Sequence, residues 1–276
     1  MKLGRKMVIG GVLLGFGLVG FSGKAEAYYG NVQVPSYTLT NYLNEELSIG
    51  FVPEEGQDLE LDQSYGGVPR YLFEKEFLSF EPRIMGYESS SLEGLQNVDT
   101  KKLVLHGQPY DFNPIANIWR LEELEIYLVG GHGYGGRAKT GSQDLSFMRQ
   151  GFVNLKTFKY EQGDSADATN ALLDVSELSD HPSLEQVDIK TAGGMQSISM
   201  RSGYRKYEVF NPIVLSSQFE GAEIVYSSTD ATFTNTDELL KWNAVPQDTE
   251  YLNLSWTVTQ GAFHYEGDVQ IPIDWK

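Results

Sequence analysis

The stretch Leu92-Glu-Gly-Leu95-Gln-Asn97-Val98-Asp-Thr100-Lys-Lys-Leu103-Val-Leu105 is followed, after a linker, by Asn113-Pro-Ile115-Ala-Asn117-Ile118-Trp-Arg-Leu121-Glu-Glu-Leu124-Glu-Ile126. The Leu-x-x-Leu-x-Ile of the second copy lies 21 residues after the Thr-x-x-Leu-x-Leu of the first, 121 against 100. The pattern returns twice more, at wider steps. Leu155, Phe158 and Tyr160 repeat Leu121, Leu124 and Ile126, and Leu184, Val187 and Ile189 repeat them again. Upstream, Phe152 takes the part of Ile118, and Leu178 that of Ile115. What each wider step holds beyond the first one falls in a recognisable loop, Gly130 to Gln143 in the one case and Gln162 to Ala168 in the other.

Leu-x-x-Leu spacing alone also fits an amphipathic helix. Four recurrences of one short core, each preceded by a loop, favour stacked repeats instead, and the first step has the period of a leucine-rich repeat. Each copy then lays down one short strand whose Leu and Ile side chains point inward. A lone copy cannot bury them, so stacking builds the core.

Before the repeats, Thr40 to Leu47 carries a Thr followed by acidic residues and predicts a short helix. Tyr71, Leu72, Phe77, Leu78 and Phe80, mixed with Glu74, Lys75 and Glu76, predict an amphipathic helix that caps the stack. From about Tyr207 the texture changes to alternation. In Phe263-His-Tyr265-Glu-Gly267-Asp-Val269-Gln-Ile271-Pro-Ile273 every odd position except Gly267 is apolar, the period of a half-buried strand. Leu252, Leu254, Trp256 and Val258 alternate likewise; with 222–226 and 238–242 this predicts a small sandwich. The expected fold is therefore mainly β with short helices. A signal peptide spans 1–27, an N-terminal cap region 28–90, a short irregular leucine-rich-repeat solenoid 91–205, and an Ig-like β-sandwich 206–276.

The leader reading rests on Lys2, Arg5 and Lys6, an apolar or glycine run from Met7 to Phe21, and the small-residue signal Ala25-Glu26-Ala27. That run is shorter than the roughly 20 residues a bilayer needs. Its removal takes away four cations and one anion and lowers the net charge from −17 to −20. Such a surface repels nucleic-acid phosphates and favours cationic partners. The sequence has no cysteine, so packing alone must stabilise a protein expected in a disulfide-permissive compartment. No lipid-anchor cysteine follows the leader, and Ile271-Pro-Ile-Asp-Trp-Lys276 has neither an apolar tail nor a sortase-type Leu-Pro-x-Thr-Gly signal. A secreted, extracellular monomer with no membrane anchor, retained at a surface only non-covalently, is expected.

Motifs for chemistry are sparse. Gly131-His-Gly133-Tyr-Gly135-Gly136 is a formal Gly-x-Gly-x-x-Gly, but the following Arg137-Ala-Lys-Thr-Gly-Ser is loop-like rather than the helix a dinucleotide site needs. His106, His132, His181 and His264 show no zinc spacing and read as surface or strand residues. No Gly-x-Ser-x-Gly occurs, and Asp164-Ser-Ala-Asp167 lacks the calcium-loop pattern. No catalytic, cofactor or metal residues are assigned, and a non-enzyme is expected. Trp119 is expected in packing, and Trp242 and Trp256 in the sandwich core.

If the repeats stack, the residues flanking the inward Leu and Ile face outward on a concave sheet. They are Lys102, Val104 and His106; Glu123, Glu125 and Tyr127; Thr157, Lys159 and Glu161; Gln186, Asp188 and Lys190. This mixed-charge strip, with His132, Tyr134 and Arg137 of the glycine loop, is the candidate protein-binding surface.

The Leu-Glu-Gly-Leu-Gln opening at Leu92, the Pro114-Ile-Ala-Asn-Ile-x-x-Leu-x-x-Leu-x-Ile module, and Leu-Lys-Trp242, Leu-Ser-Trp256-Thr-Val and Phe263-x-x-Glu-Gly267-x-Val resemble internalins. These are secreted or wall-attached leucine-rich-repeat proteins of Gram-positive bacteria. The resemblance covers about 68–276 and implies a cap, a solenoid and an Ig-like sandwich fused into one body that binds a host or bacterial surface protein. The alternative is a structural or accessory component of a bacterial surface assembly. Three departures stand out. Gln108, Val129, Gly163 and Ala192 replace the family's Asn just beyond the last strand leucine, the repeats are few and unequal, and no wall-binding module follows.

Overall fold

The computed structural model describes residues 31–34, 39, 40, 42, 43, 45, 67–69, 73, 76, 77, 79, 81, 83, 84, 91–107, 109, 111–128, 144–149, 151–162, 171–230, 232–236 and 239–276. The leader, most of both insertion loops, and His132, Tyr134 and Arg137 lie outside them. Among the described residues the chain is mainly β, with short 3₁₀ turns, and no helix is long and apolar enough to cross a membrane.

Four parallel strands form the ladder: β6 (Lys102–Gly107), β7 (Glu123–Leu128), β8 (Thr157–Gln162) and β9 (Gln186–Gly194). Their register is the one that the leucine spacing predicts. Leu103 pairs with Leu124, Leu124 with Phe158 and Phe158 with Val187, and Leu105, Ile126, Tyr160 and Ile189 form a second row. All eight are buried, at 3% exposure or less.

Behind each strand the chain returns through tight turns. The 3₁₀ segments Leu95–Asn97, Asn113–Asn117, Ser146–Arg149 and Ser176–Asp180 precede the four strands. In the second, N–H to C=O bonds link Ile115 to Phe112, Ile118 to Ile115 and Leu121 to Ile118. A three-residue period sends every third side chain inward, which is why Ile115, Ile118 and Leu121 are all buried. The fourth turn repeats this with Leu178, His181 and Leu184. His181 thus occupies the place of Ile118; it is 6% exposed, its Nε2 contacts the Met148 carbonyl, and Phe152 meets its ring edge-on. The expectation that all four histidines are surface or strand residues fails there. Trp119, expected in packing, is 67% exposed on the turn before β7.

N-terminal to the ladder, Leu39, Thr40, Tyr42, Leu43 and Glu45 are helical, in line with the short helix expected from Thr40. Thr40 lies within that helix rather than at its cap, and its hydroxyl donates to the Val34 carbonyl at 3.0 Å. β1 (Asn31–Gln33) pairs antiparallel with β2 (Gly67–Pro69). β3 (Glu76–Phe77) pairs with β5 (Asp99–Thr100), and β4 (Arg83–Ile84) with β6. The described residues from 67 to 84 are therefore mostly strand, not the amphipathic helix expected there, because extension lets them pair their backbone groups with β1, β5 and β6.

Beyond 205 the same sheet continues. β16 (Phe263–Trp275) lies parallel to β9, with Phe263 opposite Val187 and Tyr265 opposite Ile189. β15 (Tyr251–Gln260) pairs antiparallel with β16, and β12 (Ile224–Ser227) with β15. The short β10 (Ile198–Met200) also pairs with β16. A separate three-stranded sheet runs β11 (Lys206–Phe210), β14 (Leu239–Asn243), β13 (Phe233–Thr236). A further 3₁₀ turn, Ser217–Phe219, stacks on the fourth: Gln218 Nε2 donates to the carbonyls of Leu178 at 2.8 Å and His181 at 3.1 Å. Tyr265 crosses the seam and donates to the Leu172 carbonyl at 2.6 Å. One cluster of buried side chains, from Val32 to Ile271, runs through all of this.

Candidate functional site

Alternation along β6 to β9 puts the predicted strip on the sheet face opposite the buried leucines, in three cross-strand rows. Lys102, Glu123, Thr157 and Gln186 form the first; Val104, Glu125, Lys159 and Asp188 the second; His106, Tyr127, Glu161 and Lys190 the third. The sequence-predicted residues that the structure describes therefore do converge. Val104 does not join the surface: at 5% exposure it is buried, flanked by Lys102 and His106 on its own strand and Glu125 in register.

Tyr127 is the centre of the strip. His106 stacks on its ring with centroids 4.9 Å apart and planes 8° from parallel, while Lys159 Nζ lies 5.0 Å from the ring centroid. The Tyr127 hydroxyl donates to Glu125 Oε2 at 2.7 Å, and the other oxygen of Glu125 meets Lys102 Nζ at 2.5 Å. Lys102 also reaches Glu123 at 3.4 Å. Aromatic stacking and a surface cation over a ring each contribute about 1 kcal/mol, so the cluster is held in one arrangement before any partner arrives.

The charges respond accordingly. Burial pushes the Glu125 carboxyl up, but the hydrogen bonds from Lys102 and Tyr127 outweigh it and hold it below its ordinary value. Burial, then the Glu125 carboxylate, pushes the Tyr127 phenol up. The Tyr127 hydroxyl raises Lys159, and Glu125 raises Lys102. These four groups are thereby fixed in their charged or, for Tyr127, neutral form near neutral pH.

The rows run further than the sequence indicated. Asp188 continues to His264 and Thr259, and Lys190 to Glu266, Thr257 and Val225. Lys190 pairs with Glu266 at 3.1 Å, and His264 bridges Glu266 at 3.1 Å and Thr259 at 3.3 Å. Glu266 is pushed up by burial and pulled further down by Lys190 and His264. Alternation alone placed these residues on a strand face, but nothing in it told which face of which sheet they would join.

A second array sits just before the first buried side chain of each strand, at Lys101, Glu122, Lys156 and Glu185. Their backbones bond rung to rung, Glu122 N to Lys101 O, Lys156 N to Glu122 O and Glu185 N to Lys156 O. Glu122 meets Lys101 at 2.9 Å and Lys156 at 2.8 Å, and those hydrogen bonds lower its carboxyl to about 2. The signal was present in the aligned repeats as charge alternation at one fixed offset.

Among the described residues no group of three or more His, Cys, Asp or Glu side chains is placed to hold a metal. The arrangement is thus that of a preorganised polar and aromatic surface on an open sheet.

Fold and site together define a mainly β protein of stacked single-strand rungs with a broad open sheet face. No family model matches the chain, and no curated protein does. Among solved structures, it is similar to the functional domain of InlJ from Listeria monocytogenes, which includes a cysteine ladder, at 13% identity and a TM-score of 0.36, over 74% of this chain and 49% of that one. It is also similar to the secreted internalin-like protein Lmo2445 from Listeria monocytogenes, at 10% identity and a TM-score of 0.32, over 86% of this chain and 95% of that one. The chain spans about half the length, 49%, of the first of these structures.

Proposed function

We propose that this is a secreted, internalin-like leucine-rich-repeat protein without enzymatic activity, whose open, concave sheet face binds another protein of a host or bacterial surface. The observation that carries the reading is the Tyr127 cluster. An aromatic ring held between His106 and Lys159, with its hydroxyl fixed by Glu125, offers a rigid, half-exposed anchor of the kind that dominates protein interfaces. Around it the extended face carries Glu123, Glu125, Glu161, Asp188, Glu266 and Asp268 against Lys102, Lys159 and Lys190. The excess of acid suits a partner that presents cations.

The test is a cross-linking pull-down with purified full-length chain. The double variant Tyr127→Ala, Lys159→Glu loses its partner while still unfolding cooperatively, at a cost of about 2 to 3 kcal/mol from the lost stacking, cation and hydroxyl contacts. Undiminished capture by the double variant sinks the reading. Truncation at 205 is unsuitable as a test, because removing β16 strips β9 of its neighbour.

A further inference from the structure

We infer that the chain has a second binding site, apart from the Tyr127 strip, in which an extended basic peptide adds to β12 as a further strand and drops apolar side chains into the groove beside it.

Among the described residues β12 ends the nine-stranded sheet, with β15 on one side and no strand on the other. An end strand presents backbone N–H and C=O groups that complement another strand. Proteins commonly blunt such an edge with lysine or proline; Ile224-Val225-Tyr226-Ser227 has neither, and Val225 is 60% exposed. A groove of about 590 Å³ lies against this strand. Its apolar lining is Ile213, Val214, Leu215, Ala222 and Ile224, and Asn235 of β13 lines it too. Val214 is 48% exposed there. Tyr226 donates to Asn211, so these two lining residues already satisfy each other.

Charge selects the occupant. Among the described residues that line the groove, the charged one is Glu223. Among the described residues from 211 to 236 the acids are Glu220, Glu223 and Asp230, with no lysine or arginine. A strand that alternates apolar and basic residues would place its apolar side chains in the groove and a cation toward Glu223.

The test uses the full-length chain and a fluorescein-labelled, end-capped hexapeptide of alternating Lys and Val. Three probes run beside it: the same peptide with Glu in place of Lys, the basic peptide N-methylated at alternate residues, and the basic peptide with the Glu223→Lys variant. Anisotropy is expected to show saturable binding of the basic peptide that weakens at least tenfold on N-methylation, with a further loss in Glu223→Lys and with added salt. Hydrogen exchange is expected to slow at 224–227 and not at Tyr127 or Lys159. Absence of saturable binding, equal binding of the acidic or the N-methylated peptide, or protection at Tyr127 instead of β12 overturns the site. None of these outcomes bears on the Tyr127 strip, whose partner is read separately through the Tyr127 variant.

Discussion

Trp256 and Gly267 stand opposite each other across the β15 and β16 pair, and the indole fills the room that a side chain at 267 would need. A Cβ on Gly267 would lie 2.1 Å from Trp256 Cζ2. This explains why Gly267 breaks the apolar row of its strand: its place in the core is occupied from across the ladder. Gly267→Ala is therefore expected to cost about 2 to 3 kcal/mol in denaturant unfolding, as overpacking of a tight core does. Gly203→Ala, where a Cβ meets nothing within 4 Å, is the control and should stay within about 0.5 kcal/mol.

Glu122, held between Lys101 and Lys156, titrates near 2 in the folded chain against an ordinary 4.5. A carboxylate lowered on folding stabilises above its unfolded value and loses that contribution as pH falls toward its folded one. Stability is thus expected to decline between about pH 4.5 and 2, and Glu122→Gln should flatten that part of the acid-unfolding curve. An identical slope in the variant would show that the charge ladder contributes nothing.

Lys102 leads the groups that offset the burial of Glu125, followed by Tyr127 and Lys159. In Lys102→Met the largest downward pull is gone, so the Glu125 carboxyl should titrate at a higher pH than in wild type. Side-chain carbon NMR shifts of Glu125 against pH read this directly.

Trp119 contrasts with Trp242 and Trp256, which are 0% and 1% exposed against its 67%. Trp119→Ala should leave stability within about 0.5 kcal/mol of wild type, as surface substitutions do. It should also remove much of the acrylamide-quenchable tryptophan fluorescence.

The rows of the ladder were legible because burial forces each repeat to present the same side chains in phase: Leu103, Leu124, Phe158 and Val187 could be aligned across unequal spacings and do pair. His181 was not, since a polar residue at an inward position looks like a surface residue until its place against Ile118 is noticed. The C-terminal strands were found by alternation, but alternation fixes a face and not a neighbour. Nothing local to Phe263 or Tyr265 shows that they lie beside Val187 and Ile189. Alternation was enough to line up the strand positions of the candidate strip in cross-strand rows, though not to show that Val104 is buried, while the stacking of His106 on Tyr127 depends on register and rotamer and left no trace in composition.

The pairing of β16 with β9 also bears on how the molecule reaches its native state. Each rung joins the one next to it in the chain, Leu103 to Leu124 and Leu124 to Phe158, whereas Val187 must wait for Phe263 from far downstream. Loop closure of that longer span is the slower event, so the rungs can zip while the outer edge of β9 remains uncovered. During that interval the edge can recruit a β9 or β16 from another chain, and substitutions that delay β15 or β16 would act first as losses of yield through aggregation.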